Sequence, residues 1–476
     1  MTDKGDTRKN LDKRTARTRH AVVFQEAIRE LRESYAQDER IADAKRAKTA
    51  QYIDVYARVR PMLPHEVERG EYTTISCIDD QTMVVHDCLM HNDMVHKYID
   101  SHAHAFTKVF DEHTPTPVVY SSVAKPLVEH ALSGGEAVCM MYGQTGSGKT
   151  HTMLGFLTHL AKDIFNEPNQ AITFKAVELV GSKCVDLLHD RNKVLICEGD
   201  SGEIELVHSQ SQLARSAAEL LDLFHGATSN RTTEATQVNA VSSRSHLICF
   251  LQVVSSDGVA SNGQLVLLDL AGSERKEDQY FTDKARHQET IETNMAHLAL
   301  KQCLSAMSQD PPGHIPYRNS ALTRILKNHL WSTTKKCKAA VVVTASPIPT
   351  DTEHTLTSLI HARQMVESAP HVKRSTKEII EGEVSAAPLF KTWDAAQVQA
   401  WLPSIKQGAL ASYASNIKPV MTGAALLRYP PARFIMICNG NAEHGKWLSD
   451  AMKAHLANEK KIDAERRARN RLTKAK

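Results

Sequence analysis

No apolar run in the 476 residues approaches the roughly 20 that a membrane-spanning helix needs, so no membrane span is expected. The stretch Met1 to His20 is charged and has no apolar centre, which argues against a secretory signal. The nine cysteines are scattered and odd in number, with no Cys-x-x-Cys pair. That pattern excludes a disulfide framework or a thiolate metal site and points to reduced thiols in the cytoplasm. His96, His102 and His104 cluster in sequence but lack a familiar ligand spacing. Internal repeats, low-complexity tracts and long heptad runs are also missing, so neither a solenoid nor a coiled-coil dimer is expected. Base-stacking and helicase motifs are absent, which leaves a nucleic-acid NTPase without support.

What is present is ordinary in amount and uneven in place. Hydrophobic residues make up 42% and charged residues 24%, with a net charge of only +3. Residues 1–20 nevertheless carry seven Lys/Arg against three Asp, and residues 459–476 carry eight against three acids. Such ends suit an acidic polymer, and equally suit solvated tails. From Val22 to about Lys48, Phe24, Ile28, Leu31 and Tyr35 recur at helical spacing. Between Gln51 and about Ser368, apolar β-rich runs alternate with amphipathic stretches. The clearest strands are Tyr52–Arg60, Ala137–Met141, Thr173–Leu179, Leu247–Val254, Gln264–Leu268 and Ala339–Ala345. This alternation predicts an α/β core with helices on both faces of a central sheet.

Gly143-Gln144-Thr145-Gly146-Ser147-Gly148-Lys149-Thr150 matches the G-x-x-x-x-G-K-[ST] phosphate loop and sits between a strand and a helix, as that loop requires. Its glycines let backbone N–H groups turn toward phosphate oxygens, Lys149 can reach the β- and γ-phosphates, and the Thr150 hydroxyl can ligate Mg²⁺. Asp269-Leu-Ala-Gly272-Ser-Glu274 closes an apolar strand. Asp269 can hold the water shell of Mg²⁺, and the N–H of Gly272 can meet the γ-phosphate. Asn239 to His246 is rich in hydroxyls. Ser242, Ser243 and Arg244 there suit the metal and the γ-phosphate, with Arg244 expected to pair with Glu274.

With these motifs the chain resembles the kinesin superfamily. The resemblance covers about residues 52–370, through Arg58-Val-Arg60-Pro61, Phe110-Asp111, the phosphate loop with His151-Thr152-Met153, Asn239 to His246, Asp269 to Arg275, and His314 to Thr323. It implies a P-loop NTPase motor fold that hydrolyses ATP with Mg²⁺ and works on tubulin or microtubules of the cytoskeleton. Arg58 and Pro61 would flank the adenine beside Arg60 and His151. Ser242 and Ser243 would form one switch, with Ser243 on the metal. Asp269, Gly272 and Glu274 would form the other.

Phe24–Arg32, His96 to Asp100, Phe106 and Gly134-Gly135 look closest to the internal-motor kinesin-13 family, whose members bend and release tubulin at microtubule ends. Three places depart from that pattern. The loop tip that usually reads Lys-Val-Asp is Asn92-Asp93-Met94; Asn-Lys-Ser-Leu is Asn294-Met295-Ala296-His297; and a usual lysine is Ala321. Asp93, Arg318, Arg324 and Lys327 remain as candidates for the tubulin face, and the lost cations are expected to weaken it. A non-motile scaffold that binds microtubules and recruits partners is the alternative reading.

Trp393, Val398, Trp401, Leu402, Tyr413, Gly423 to Leu427 and His444 to Leu448 resemble a sterile alpha motif (SAM) domain, a small all-α module that often self-associates or binds another such module. The expected layout is a basic helical neck at 1–50, a motor at 51–370, a polar linker at 371–389, the SAM-like module at 390–457 and a basic tail at 458–476. A monomer is expected unless the SAM-like module oligomerises.

Overall fold

The computed structural model describes residues 12–35, 53–166, 170–232, 244–255, 260–274, 284–307, 314–331, 337–365, 373–379 and 390–474. The chain divides into two compact units, Met1–Ile379 and Ile380–Lys476. Among the described residues no helix is long and apolar enough to cross a membrane.

Among its described residues the first unit holds fifteen strands. They are β1 (Ile53–Val59), β2 (Ile75–Cys77), β3 (Thr82–Met90), β4 (Lys97–Ala105), β5 (Lys108–Phe110), β6 (Glu136–Tyr142), β7 (Gln170–Val180), β8 (Lys183–Asp186), β9 (Lys193–Glu198), β10 (Ile204–Val207), β11 (Gln212–Ala214), β12 (His246–Ser255), β13 (Ala260–Asp269), β14 (Cys337–Ala345) and β15 (Lys373–Ile379). Eleven form one sheet in the order β10-β9-β8-β7-β12-β13-β6-β14-β1-β5, with β11 beside β7. β13, β6, β14, β1 and β5 run parallel; β12 opposes them, and β7, antiparallel to β12, runs with them. β6 is buried at every position, as expected of a parallel strand covered on both faces. Its side chains alternate between two cores. Val138, Met140 and Tyr142 enter one, and Ala137, Cys139 and Met141 the other. The helices used below are α1 (Lys13–Arg19), α2 (Ala21–Tyr35), α3 (Lys149–Ile164), α4 (Ala217–Thr232), α5 (Lys284–Met307) and α6 (Thr352–Gln364). The α/β architecture and all six expected strands are present.

A second sheet, β15-β4-β3-β2, carries the N-terminal helices. α2 buries Phe24, Ala27 and Ile28 against Tyr72, Cys88, Ile99 and Ile379. This is the apolar stripe read from the sequence; residues 36–50 of the expected neck lie outside the described residues. The expected linker at 371–389 is corrected in its first part, because Lys373–Ile379 pairs antiparallel with β4 from Lys97 to Ala103. The segment looked like a linker because it is an edge strand, held by backbone hydrogen bonds, with charged side chains and Ile379 as its one large apolar anchor. Lys377 reaches Glu30 of α2 at 2.6 Å.

Arg17 of α1 is fully buried. Its guanidinium donates to Asp87 at 2.5 Å, to both oxygens of Glu353 at 2.7 Å, and to the carbonyls of Cys88 (3.2 Å) and Pro349 (3.0 Å). A buried guanidinium is tolerable only when its donors meet acceptors of this kind. Four come from elements more than 70 residues away, so Arg17 pins α1 to β3 and to the start of α6.

The second unit packs Phe390, Val398, Leu402, Leu426, Phe434 and Leu448 into one small core. Its helices include α7 (Ala395–Trp401), α8 (Pro431–Ile437) and α9 (Ala442–Lys474). Asp394 and Gln397 form a reciprocal capping box at the start of α7. Gly423 allows a close approach, because a Cβ there would lie 1.7 Å from the Phe390 carbonyl oxygen. α9 runs unbroken across the boundary expected at 457/458.

Arg17→Met removes the charge, leaving Asp87 without its cation and Glu353 with only Lys13 at 3.8 Å; breaking a buried pair typically costs about 3–5 kcal/mol. Denaturant unfolding should move to lower midpoint, and limited proteolysis should cut first near α1 and α2. Burial pushes the Glu353 carboxyl up, but the Arg17 hydrogen bonds and charge outweigh it and hold the group below its ordinary 4.5. A depressed carboxyl contributes stability above its unfolded value and loses it as pH falls through the folded one. Acid, and not alkali, should therefore release the N-terminal helices; equal protease resistance of both proteins across that range would refute the clamp.

Candidate nucleotide site

The loop Gly143–Thr150 leaves the end of β6 and opens α3. Gly143 (φ 143°) has no room for a side chain, because a Cβ would lie 2.6 Å from the Thr344 carbonyl oxygen. Gly148 holds the left-handed conformation (φ 102°) at the start of the helix. Ser147 fixes the curl, with its hydroxyl 2.6 Å from that of Thr344 and donating to the Gln144 carbonyl at 2.7 Å.

Lys149 is buried, and its ammonium donates to the carbonyls of Gly143 and Gln144, both at 2.8 Å. Burial lowers its pKa, opposed by the carboxylates of Asp269 and Glu274. Asp269 ends β13, directly beside β6, with Asp269 opposite Met141. The parallel pairing thus brings the acid to the phosphate loop across 119 residues of sequence. Its Oδ2 accepts the Thr150 hydroxyl at 2.6 Å and Arg231 Nη1 at 2.8 Å. Oδ1 is buried without a hydrogen-bond partner. A hydroxyl and an unsatisfied carboxylate oxygen side by side suit a hard divalent cation such as Mg²⁺, and Thr150 with Asp269 would hold it there. Ser242 and Ser243, the other expected ligands, lie outside the described residues.

Glu274 does not meet Arg244 in this structure. Its carboxylate accepts the Thr145 N–H at 3.0 Å and the Thr145 hydroxyl. The Nε of Arg244 is buried and unpartnered, and its carbonyl accepts the Thr293 hydroxyl at 3.2 Å. Gly272 lies against this contact, where a Cβ would fall 2.1 Å from the Glu274 carboxylate.

A cavity of about 340 Å³ opens over the loop, lined by Arg60, Pro61, Leu63, Thr145, Gly146, Gly148, Lys149, Thr150 and His151. Arg60 is braced by Glu66 (2.5 Å), the Gly146 carbonyl (2.7 Å) and Ser346 (3.0 Å). Arg58, expected beside the adenine, is not on this lining. It donates to Thr152 (3.0 Å) and Thr116 (2.8 Å) and so ties β1 to α3.

Sequence reading missed two groups. Arg231 near the end of α4 also donates to the Ser245 carbonyl at 2.8 Å, and nothing in its local spacing marks it. Buried His246 accepts the Ala271 N–H on Nδ1 at 3.1 Å. Burial, with His297, Arg231 and Lys149 adding to it, holds His246 neutral. The family motif contains this histidine, but its hydrogen bond to the second switch needed the fold.

The four residues expected on the tubulin face all have partners within the chain. Arg318 reaches both oxygens of Glu198 at 3.0 Å, and Lys327 reaches Glu198 at 2.9 Å and the Gly202 carbonyl. Arg324 donates to the Ile196 carbonyl at 2.9 Å. Asp93 accepts His96 Nδ1 at 2.5 Å and the N–H of Val95 and His96, closing its own turn.

If Lys149 carries phosphate binding, saturating Mg·ADP should stabilise the protein by about 2.7 kcal/mol at a hundred times Kd. Denaturant titrations should register that gain for the unmodified chain and none for Lys149→Met. An equal gain in both would remove Lys149 from the site.

The Kinesin motor domain family matches residues 58–367. The chain is 35% identical over 349 residues to the mouse kinesin-like protein KIF24, covering 70% of this chain and 25% of that protein. Human KIF24 is 35% identical over 339 residues, covering 68% and 24%. Diatom spindle kinesin-1 of Cylindrotheca fusiformis is 34% identical over 328 residues, covering 67% and 51%. The chain thus spans about a quarter to a half of the length of these relatives. A solved structure of a fast kinesin, described for its ATPase mechanism and interactions with microtubules, superposes with a TM-score of 0.57 at 25% identity, covering 67% of this chain and 93% of that one. The phosphate loop on β6, the acid on β13 and these similarities lead to one conclusion: the chain belongs to the kinesin family.

Proposed function

We propose that this chain hydrolyses ATP at the Gly143–Thr150 site and uses the cycle to release tubulin from microtubule ends, as a kinesin-13-like depolymerase. The observation that carries the ATPase is the convergence of Lys149, Thr150 and Asp269 at the ends of two adjacent parallel strands. Water attacks the γ-phosphorus, the bond to the β,γ-bridging oxygen breaks, and ADP and phosphate leave. Mg²⁺, when bound, supplies charge neutralisation. Lys149 gives its ammonium to the phosphate oxygens, and the Gly272 N–H stabilises charge developing on the γ-phosphoryl group. Arg244 and Glu274 would close the site and help organise the proton path once Glu274 leaves Thr145.

The depolymerase reading is supported by the body built from α2, β3 and β4. The neck-like Phe24–Arg32 segment packs on the same small sheet whose β3–β4 turn carries Asn92-Asp93-Met94. The SAM-like unit at 390–457 would serve self-association or recruitment, on cytoplasmic microtubules. A microtubule-binding scaffold is the second reading, favoured by one observation: Glu198 already occupies Arg318 and Lys327, cations that would otherwise meet acidic tubulin.

Steady-state ATPase should rise with free tubulin and with microtubules, and stabilised microtubules should shorten from their ends in ATP. Gliding at unchanged polymer length would contradict depolymerisation, and no stimulation by either form would favour the scaffold. Glu198→Gln removes the counter-charge of the two cations, although Lys327 keeps the Gly202 carbonyl. It should tighten microtubule binding about two- to fivefold at low salt, the effect fading as salt rises. Unchanged affinity at low salt would show that these cations do not face the polymer.

A further inference from the structure

A second cavity, of about 430 Å³, lies apart from the phosphate loop, on the face of the large sheet beneath the β9–β10 hairpin. Its floor is two cross-strand rows. Thr173 on β7, Gln252 on β12 and Gln264 on β13 stand opposite one another, and Lys175 stands opposite Phe250. Its roof is Ile204 and Leu206 of β10 with Ile325, Asn328 and His329 from the following helical turns. The roof is tied down by a reciprocal pair. Asn328 accepts the Ile204 N–H at 3.0 Å and donates to the Ile204 carbonyl at 2.9 Å.

The polar groups divide into those already used and those left over. His329 is 3.2 Å from Glu136 and rests on the Phe250 ring at 5.3 Å between centroids. Gln252 donates to the Gly263 carbonyl at 2.9 Å. Among the described residues, the Lys175 ammonium, the Thr173 hydroxyl and the Gln264 amide have no hydrogen-bond or ion-pair partner. Glu205 stands exposed at the rim and is not paired with Lys175. A half-buried lysine on an interior sheet face normally finds a carboxylate, since desolvating an ammonium without a partner is costly. Here Asp186 acts on it only electrostatically, its carboxylate taken by the Leu188 and Gln210 N–H groups, and the cavity offers an aromatic ring, a hydroxyl and an amide.

We propose that this cavity is a second ligand site, for a small monocarboxylic acid with an apolar ring. The carboxylate meets Lys175, with Thr173 and Gln264 as hydrogen-bond donors, and the ring lies between Phe250 and the Ile204–Leu206 roof. The volume falls in the range of small-molecule sites, and the lining sets four apolar side chains, Ile204, Leu206, Phe250 and Ile325, among polar ones. One lysine without an arginine fork or a cradle of N–H groups selects a single negative charge and not a polyphosphate. Burial lowers the Lys175 pKa, opposed by Asp186, and a bound carboxylate would oppose it further. The site shares no lining residue with the nucleotide cavity.

The probe is 2-naphthoate, titrated into the full chain by calorimetry, with neutral 2-naphthamide as control. Saturable one-to-one binding is expected, at least tenfold weaker for 2-naphthamide and for Lys175→Met, and unaffected by saturating Mg·ADP. Lys175→Arg should retain most of it. Gln264→Leu, a milder change on the same floor, should weaken binding severalfold and serves if Lys175→Met does not fold. Lack of saturation at millimolar probe, equal binding by folded Lys175→Met, or displacement by Mg·ADP would overturn the proposal. None of these outcomes depends on whether the chain acts on tubulin.

Discussion

Everything at the nucleotide site turns on one carboxylate oxygen. Oδ2 of Asp269 accepts Thr150 from the phosphate loop and Arg231 from α4, both within 2.8 Å. Asp269 is buried, and a buried carboxylate is costly without cationic support. Arg231 is buried beside it and likewise depends on its acceptors. The pair therefore joins β13, α4 and the phosphate loop into a unit whose parts lose their partners together. The other oxygen of Asp269 is left for a cation, so the contact that builds the site also prepares it.

From that unit, α6 carries connections outward. Ser358 of α6 is 2.6 Å from Ser273 in the second switch, and His361 is 3.2 Å from the Tyr142 hydroxyl at the end of β6. Glu353, at the first turn of the same helix, receives Arg17 from the N-terminal segment. One helix thus touches the switch, the strand bearing the phosphate loop, and the N-terminal helices. On the other side of Tyr142 stands His297, buried, neutral by desolvation, and edge-on to both Tyr142 and His246. The motif resemblance places a leucine there. A histidine keeps the packing and adds a ring nitrogen, Nε2, that has no partner.

The parts legible in sequence are those whose chemistry is contiguous. Gly143 to Thr150 is eight consecutive residues, and its glycines, lysine and threonine state their roles by type and spacing alone. The stripe Phe24, Ile28, Leu31 and Tyr35 is equally local, and so are the runs that became β6, β12 and β14. The parts that escaped are pairings over long separations. Arg17 looked like one more charge in a basic tail, and only the fold brings Glu353 to it across 336 residues. Lys373–Ile379 has no apolar alternation because its stability comes from backbone pairing to β4. Arg318 and Lys327 were expected as cations of the tubulin face, but Glu198, on a hairpin more than 100 residues upstream, was not visible as their counter-ion. Arg231 sits at the end of an ordinary amphipathic helix, and its function exists only where β13 ends.

Lys149 and Thr150 are donors that a phosphate and a divalent cation must win from the protein, while Arg231 stays on Asp269. A crystal structure of the chain with Mg²⁺ and ADP measures this directly. The predicted result is an intact Arg231–Asp269 pair, with the Thr150 hydroxyl turned from Asp269 to the metal and the Lys149 ammonium moved from the Gly143 and Gln144 carbonyls to phosphate. Nucleotide bound in the Gly143–Thr150 loop with both of those internal contacts unchanged, or with Arg231 displaced from Asp269, would contradict it.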